Sequence, residues 1–220
     1  MSELIVLGVD TSGPYTSLGL IDGSNKKELN YRERPFAHSE MINVLFEILM
    51  KQTGLSPSSI DLIAVSVGPG YFTALRVGLS FAKALAFSLG IPLISVNTLD
   101  ALARQAPDVD MPVIALVEAQ KDFLYAAKYR KVKGETMRER KPALLRLREV
   151  REEKALFVGS GAIKFRDELQ RLPEPCPDFP SGLTVAASGL ERFLSGERDD
   201  PVKLEPFYMK LPDIKKHGRP

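Results

Sequence analysis

Val65-Ser66-Val67-Gly68-Pro69-Gly70-Tyr71-Phe72-Thr73-Ala74-Leu75-Arg76-Val77-Gly78 is the stretch that decides the fold. It leaves an apolar strand, Leu62 to Val67, turns at Gly68-Pro69-Gly70, and enters a helical pattern that runs to about Leu89. Glycines permit a tight turn at the strand end. A strand feeding a helix N-terminus leaves backbone N–H groups unpaired, an arrangement that suits an anion, and Arg76 follows one turn into the helix. The same residues also serve an ordinary strand–turn–helix corner. A P-loop is excluded, because the Gly-Lys-Ser/Thr element that cradles phosphates is missing.

Outward from this corner, composition sets bounds. With 44% apolar residues, a chain of 220 residues can bury a real core in one domain or two small lobes. A net charge of only +2 argues against a broad non-specific nucleic-acid surface. Cys176 is the only cysteine, which excludes a disulfide framework and a cysteine-based metal site. No basic-plus-apolar leader is present and no run approaches the ~18 apolar residues of a membrane span, so a cytoplasmic protein without membrane contact is expected. Scarce Asn and Gln beside plentiful Lys, Arg and Glu fit a thermophile.

Leu4 to Val9 reads as a strand buried on both faces, Ser17 to Ile21 and Lys27 to Arg34 as two more, the last near an edge. A helix follows over Ser39 to Thr53, with Ser39 as N-cap and Gly54 just past its end. This helix and the one from Phe72 to Leu89 carry more apolar surface than one core face needs. In the second, only Arg76, Ser80 and Lys83 form a narrow polar stripe, so a second packing partner is expected. Pro92 to Val96 is a strand and Thr98 to Gln105 a helix. Pro107 to Pro112 reads as a linker, dividing residues 1–106, an N-terminal α/β lobe with the partner-binding helices, from residues 107–220, a smaller C-terminal α/β lobe. The second lobe offers strands at Val113–Val117, Phe123–Lys131, Thr136–Leu147 and Ala155–Val158. Helices are expected at Leu147–Lys154, Ile163–Leu172 and Leu183–Leu194, and the polar tail is expected to be disordered.

Candidate chemistry clusters at turns. Asp10-Thr11-Ser12 ends the first strand, where hydroxyls and N–H groups could meet phosphate and Asp10 a hydrated cation; an Asx-type turn uses the same residues. His38 precedes a helix and His217 lies in the tail, and with no second His or Cys at metal spacing no metal site is expected. Lys128, Arg130, Lys131, Lys133, Arg138, Arg140, Lys141, Arg146, Arg148 and Arg151 make the second lobe locally basic, either as solvated strand faces or as a patch for RNA phosphate.

Taken together, Asp10-Thr11-Ser12, His38-Ser39, Gly68-Pro69-Gly70 with Phe72-Thr73 and Arg76-Val77-Gly78, Thr98-Leu99, Glu118-Ala119, Tyr125, and Pro206 with Tyr208 resemble the TsaB (YeaZ) family of tRNA threonylcarbamoyladenosine biosynthesis proteins. The resemblance is good over about the first 130 residues and weaker in the tail. It implies an actin-like (ASKHA, ribonuclease H-like) α/β fold of two lobes, the second reduced. It implies a non-catalytic subunit that pairs with a catalytic TsaD-type subunit and recruits a TsaE-type ATPase, forms a homodimer when alone, and touches tRNA indirectly or weakly. The catalytic relative carries a metal-binding His-x-x-x-His pair where Thr98 and Leu102 stand here, which implies loss of the transferase centre. Glu118-Ala119-Gln120 stands where nucleotide-splitting members of the fold have an Asp-Gly turn. No cofactor is therefore expected; ATP or ADP binding stays open, and that turn argues against it. Tyr71 and Ala74 replace the family's usual Ser and Gly.

On this basis Asp10, Thr11, Ser12, Gly68, Gly70 and Arg76 are candidates for a vestigial phosphate site. His38, Met41, Ile42, Leu45, Tyr71, Phe72, Leu75 and Leu79 are candidates for a partner or dimer interface. The competing reading is a small ATP-dependent phosphotransferase of the same fold, using Asp10, Thr11-Ser12 and Gly159-Ser160-Gly161 around the nucleotide.

Overall fold

Continuous apolar runs place β1 (Ile5–Asp10) and β4 (Leu62–Gly68) at the centre of a sheet, covered on both faces. β1 pairs antiparallel with β2 (Tyr15–Asp22) and parallel with β4; β3 (Asn25–Arg32) and β5 (Leu93–Asn97) flank them, giving the order β3-β2-β1-β4-β5. β6 (Val113–Glu118), β7 (Phe123–Val132), β8 (Glu135–Arg146) and β9 (Leu156–Val158) build a second sheet in the order β8-β7-β6-β9. It repeats the plan of the first: a meander, then a strand returning parallel to the first of its lobe. This is the actin-like, ribonuclease H-like architecture, with one strand fewer in the second lobe. The computed structural model describes residues 4–32, 37–132, 134–169 and 171–209. Lys133, His217 and the polar tail from Lys210 lie outside the described residues.

On one face of the first sheet lie α1 (His38–Thr53) and α2 (Phe72–Leu89). Leu7, Val9, Leu18, Ile63 and Val65 meet Ile42, Leu49 and Leu79 in a core without water access. Each such side chain contributes roughly 1.5–3 kcal/mol by burial. Helix α1 stops at Gly54, whose left-handed φ of 71° ends it as expected. Its N-cap is Ala37, not Ser39, and no side chain caps it. His38 instead turns inward, its Nδ1 at 2.9 Å from the Thr16 hydroxyl, and that buried bond fixes the helix start one residue earlier.

The opposite face is covered by α6 (Gly182–Leu194), which the sequence placed with the second lobe. It approaches the strands at backbone distance: a Cβ at Gly8 would run into the Gly182 carbonyl, and one at Gly19 into the Leu183 backbone. Between the sheets sits α3 (Thr98–Gln105), which packs on β6, β7 and β8 and also on β4, β5 and α6. The helix expected over Ile163–Leu172 is instead the short α5 (Ser160–Lys164) followed by turns. Its Gly161 sits so tightly on Leu116 and Leu124 that the sheet sets the start. Leu147–Lys154 supplies only α4 (Leu147–Val150).

After α6 the chain crosses back over the first lobe. Ser95 donates its N–H to Asp199 (2.7 Å), Lys83 donates to the carbonyls of Val202 and Leu204 (3.5 and 3.0 Å), and Phe207 donates its N–H to the Val67 carbonyl (2.7 Å). The polar stripe of α2 is thus where this strap is held. By length and mean hydropathy (1.3) α2 would pass for a membrane span, contrary to the expectation that no run is long enough. One face of it packs on β4, and the strap holds its Arg76 and Lys83.

Candidate functional site: the interlobe cleft and its two corners

The C-terminal ends of β1, β4 and β6 meet at the mouth between the lobes, the usual place for a ligand in open α/β sheets. The first corner is Asp10-Thr11-Ser12 against Gly68-Pro69-Gly70. Gly68 carries a φ of 115°, a conformation that a side chain would strain, and the Gly68–Pro69 peptide is cis. The turn is tied to the Asp10-Thr11-Ser12 loop. Tyr71 donates its N–H to the Ser12 carbonyl at 2.8 Å, and the Thr11 hydroxyl donates to the Ala74 carbonyl at 2.7 Å. A Cβ at Gly70 would strike the Ser12 carbonyl, and one at Gly78 the Thr11 hydroxyl. The two loops are stitched face to face.

Asp10, Thr11 and Ser12 are all fully buried. Asp10 accepts from the Ser66 hydroxyl and, at 3.2 Å each, from the Ser12 N–H and hydroxyl. Burial nonetheless pushes its carboxyl up from 3.8 to about 6, since the three donors offset only part of the lost hydration and Asp178 adds a like charge. Phe179 closes the lid: it lies on Gly13 and meets Tyr71 edge-to-face at 5.8 Å. Arg76 does not face this corner. It lies on the Phe72 ring, 4.0 Å from its centroid, and donates to the Tyr208 hydroxyl at 3.0 Å. The six candidate phosphate residues therefore split. Asp10, Thr11, Ser12, Gly68 and Gly70 form a closed joint, and Arg76 belongs to the strap.

The second corner, after β6, is open. Glu118 is exposed and pairs with Lys164 at 2.5 Å; its N–H is accepted by the Ser160 hydroxyl at 3.1 Å. Gly159-Ser160-Gly161 is thus engaged with the β6 end and with the Pro177 carbonyl rather than set around a free space. Between the corners lies a cavity of about 360 Å³, lined from the first lobe by Gly70 and Phe72, from the second by Gln120, Phe123 and Tyr125, and from the strap by Phe207 and Tyr208. Burial raises the Tyr125 phenol above its ordinary value. A larger groove of about 630 Å³ runs between α3, α6 and β8, where Arg104–Glu191, Arg138–Asp100 and Arg192–Glu197 neutralise one another.

The interface candidates also divide. His38, Ile42, Leu45, Leu75 and Leu79 are buried inside their own lobe, Leu75 at 1% exposure, because the sheet takes that face of both helices. Met41, Tyr71 and Phe72 keep part of their surface in solvent. The exposed large apolar residues on these helices are Val44 (44%), Ile48 (39%) and Phe87 (90%), which the sequence reading did not single out. Helical spacing i, i+3, i+7 from Met41 would have found the first two. The basic strands carry mostly partnered charge: Lys128 and Arg140 on Glu153, Arg130 on Glu139, Lys131 on Asp108, Arg138 on Asp100, Arg146 on Asp122 and Arg151 on Glu152. That is a solvated ion-pair lattice rather than a free phosphate patch.

Comparison with known proteins now fits this geometry. The family model TsaD, described as tRNA N6-adenosine threonylcarbamoyltransferase, matches residues 35–190. The chain belongs to this family. TsaB of Haemophilus influenzae is 30% identical over 127 residues, covering 57% of this chain and 53% of that one. An uncharacterized protein of Mycobacterium tuberculosis is 29% identical over 214 residues, 96% of this chain and 93% of that one. The structure of YeaZ from Pseudomonas aeruginosa superposes with a TM-score of 0.82 at 22% identity, covering 94% of this chain and all of that one, which establishes the fold. The tRNA N6-adenosine threonylcarbamoyltransferase of Pyrobaculum aerophilum is 37% identical over 107 residues, and only 31% of its length is matched.

Proposed function

We propose that this chain is an accessory subunit without transferase activity of its own. It pairs with a TsaD-type catalytic subunit, helps recruit a TsaE-type ATPase, and acts in the cytoplasm. The observation that carries the reading is the sealed first corner: the turn that would cradle phosphate is occupied by the chain's own backbone, by Phe179 and by Tyr71. Thr98 and Leu102, in the place of the relative's histidine pair, are both fully buried on α3, a further support. Among the described residues no group of His, Cys, Asp and Glu is arranged to hold a metal. Meanwhile α1 leaves Met41, Val44 and Ile48 on one side, apolar surface that pairing would cover. Without the catalytic subunit the same face is expected to pair with a second copy.

The phosphotransferase reading needs Asp10 to reach a hydrated cation, and Asp10 is fully enclosed and hydrogen-bonded to Ser66 and Ser12. Sedimentation of the chain alone and with a TsaD-type subunit tests the pairing. Val44→Asp with Ile48→Asp is expected to weaken association more than tenfold while circular dichroism stays unchanged. A strict monomer that ignores the catalytic subunit would contradict it, as would tight ATP–magnesium binding with turnover by the isolated chain.

A further inference from the structure

The cleft cavity of about 360 Å³ has an aromatic lining and a single charge. From the first lobe comes the Phe72 ring, stacked on Tyr208 of the strap at a centroid distance of 4.8 Å. From the second come Phe123 and Tyr125 at the start of β7, with Leu144 of β8 beside them. Among the described residues that line it, the Glu118 carboxylate is the one ionised group, and no lysine or arginine joins it. Lys164 pairs with Glu118 but does not itself line the cavity. A phosphate placed here would meet a carboxylate and no cation. The occupant that such a lining favours is apolar, with a cation at its edge.

The chain itself delivers such an occupant. The strap ends on the cavity, with Phe207, Tyr208 and Met209 as part of its wall. The sequence continues as Lys210-Leu211-Pro212-Asp213-Ile214-Lys215-Lys216. Leu211 follows Met209 by two residues, a reach of at most ~7 Å, and Ile214 by five, at most ~18 Å. Both apolar residues stand beside lysines, and the stretch carries three lysines against Asp213 alone. Pro212 disfavours a helix at Leu211, which suits entry as an extended segment. A segment tethered this close acts at an effective concentration of about millimolar, which a free peptide rarely reaches. We infer that residues 210–216 occupy the cleft, with Leu211 and Ile214 packed between Phe72 and Phe123 and a neighbouring lysine facing Glu118. The tail then bridges the two lobes, since Phe72 belongs to the first and Phe123 to the second. This occupation is independent of pairing with a catalytic subunit.

The test compares the full chain with one ending at Met209. The probe is a labelled peptide of residues 209–217, titrated by fluorescence anisotropy. The shortened chain is expected to bind it at least about tenfold more tightly than the full chain, whose own tail competes. A peptide carrying Leu211→Asp and Ile214→Asp is expected to bind more than about tenfold more weakly, the low end of what burying one such side chain is worth. Glu118→Gln in the shortened chain is expected to weaken the parent peptide about threefold and to flatten its salt dependence. A readout that needs no shortened chain is the nuclear magnetic resonance of the Leu211 and Ile214 methyl groups. In the full chain the rings of the cleft should move them away from their positions in the free peptide. Methyls left at those positions overturn the inference. So does a peptide that the shortened chain ignores, that both chains bind equally, or that binds as well with the two aspartates. Self-association of the shortened chain in place of peptide binding gives the cleft to a second copy, and overturns it too.

Discussion

Two carboxylates end the first strands of the two lobes, and their fates are opposite. Asp10 closes β1, fully enclosed, held by Ser66 and Ser12, with its carboxyl pushed up to about 6. Glu118 closes β6, stands in solvent, and shares its charge with Lys164. Both strands are six residues long, pair antiparallel with the next strand and parallel with a later one. The difference comes from what covers each corner. The first is pressed between the glycine turn and Phe179, whereas the second opens on the cleft. One topological position thus serves as a structural joint in one lobe and as a rim in the other.

The largest effect expected from breaking this contrast is at the first sheet. Gly8→Val drives a side chain into the Gly182 carbonyl and the Ala186 backbone, where nothing flexible can yield. It should destabilise the chain by about 3 kcal/mol, at the upper end of overpacking costs, read as a lower urea midpoint. A midpoint unchanged within error would mean that α6 does not lie on β1.

Next comes the carboxylate itself. A folded pKa raised above the unfolded value means that the protonated form is favoured by folding. The stability Asp10 contributes is full below about pH 3.8 and is lost as pH rises through about 6. The rise from 3.8 to about 6 corresponds to ~3 kcal/mol between those limits. Asp10→Asn should flatten that part of the pH profile, so urea midpoints from pH 4 to 7.5 should fall in the parent and hold steadier in the variant. Parallel profiles would show that Asp10 is not sealed. Glu118→Gln is the matched control in the open corner.

A smaller effect is expected where the strap meets α2. Tyr208→Phe removes the acceptor for Arg76 and keeps the ring on Phe72, at a cost of about 1 kcal/mol for one exposed hydrogen bond. Hydrogen exchange at the Phe207 amide, donated to Val67, should speed up while amides of β4 stay protected. The smallest effect is Glu118→Gln. Its pair with Lys164 is exposed on both sides, so the stability change should stay below about 0.5 kcal/mol at any pH from 5 to 8.

How much of this was legible in the sequence depends on the range of the forces involved. β1, β4 and the ends of α1 and α2 follow from local apolar runs and from Gly54 and Gly68, and the structure keeps them. The polar stripe Arg76, Ser80 and Lys83 was visible too, but its partner lies more than a hundred residues away. Only the fold shows that it grips Leu204 and Tyr208. Leu75 and Leu79 look like docking residues in a helix that is apolar nearly all round. The sheet claims them, and Val44 and Ile48 on α1 are left outside. The packing of the glycine corner was hidden for the same reason. Gly68-Pro69-Gly70 specifies a tight turn, and the residues packed around it, Ser12 on Gly70 and Phe179 on Tyr71, come from elsewhere in the chain.

A chain that works by pairing, and not by chemistry at its first corner, is needed for transfer without performing it. The most direct measurement is threonylcarbamoyl transfer to tRNA, reconstituted from threonylcarbamoyl-adenylate, a TsaD-type subunit and a TsaE-type ATPase, with and without this chain. The account predicts no product from the chain alone, product from the complete mixture, and loss of product when the chain carries Val44→Asp and Ile48→Asp. Product from the chain alone, or an equal yield when it is left out, would contradict it.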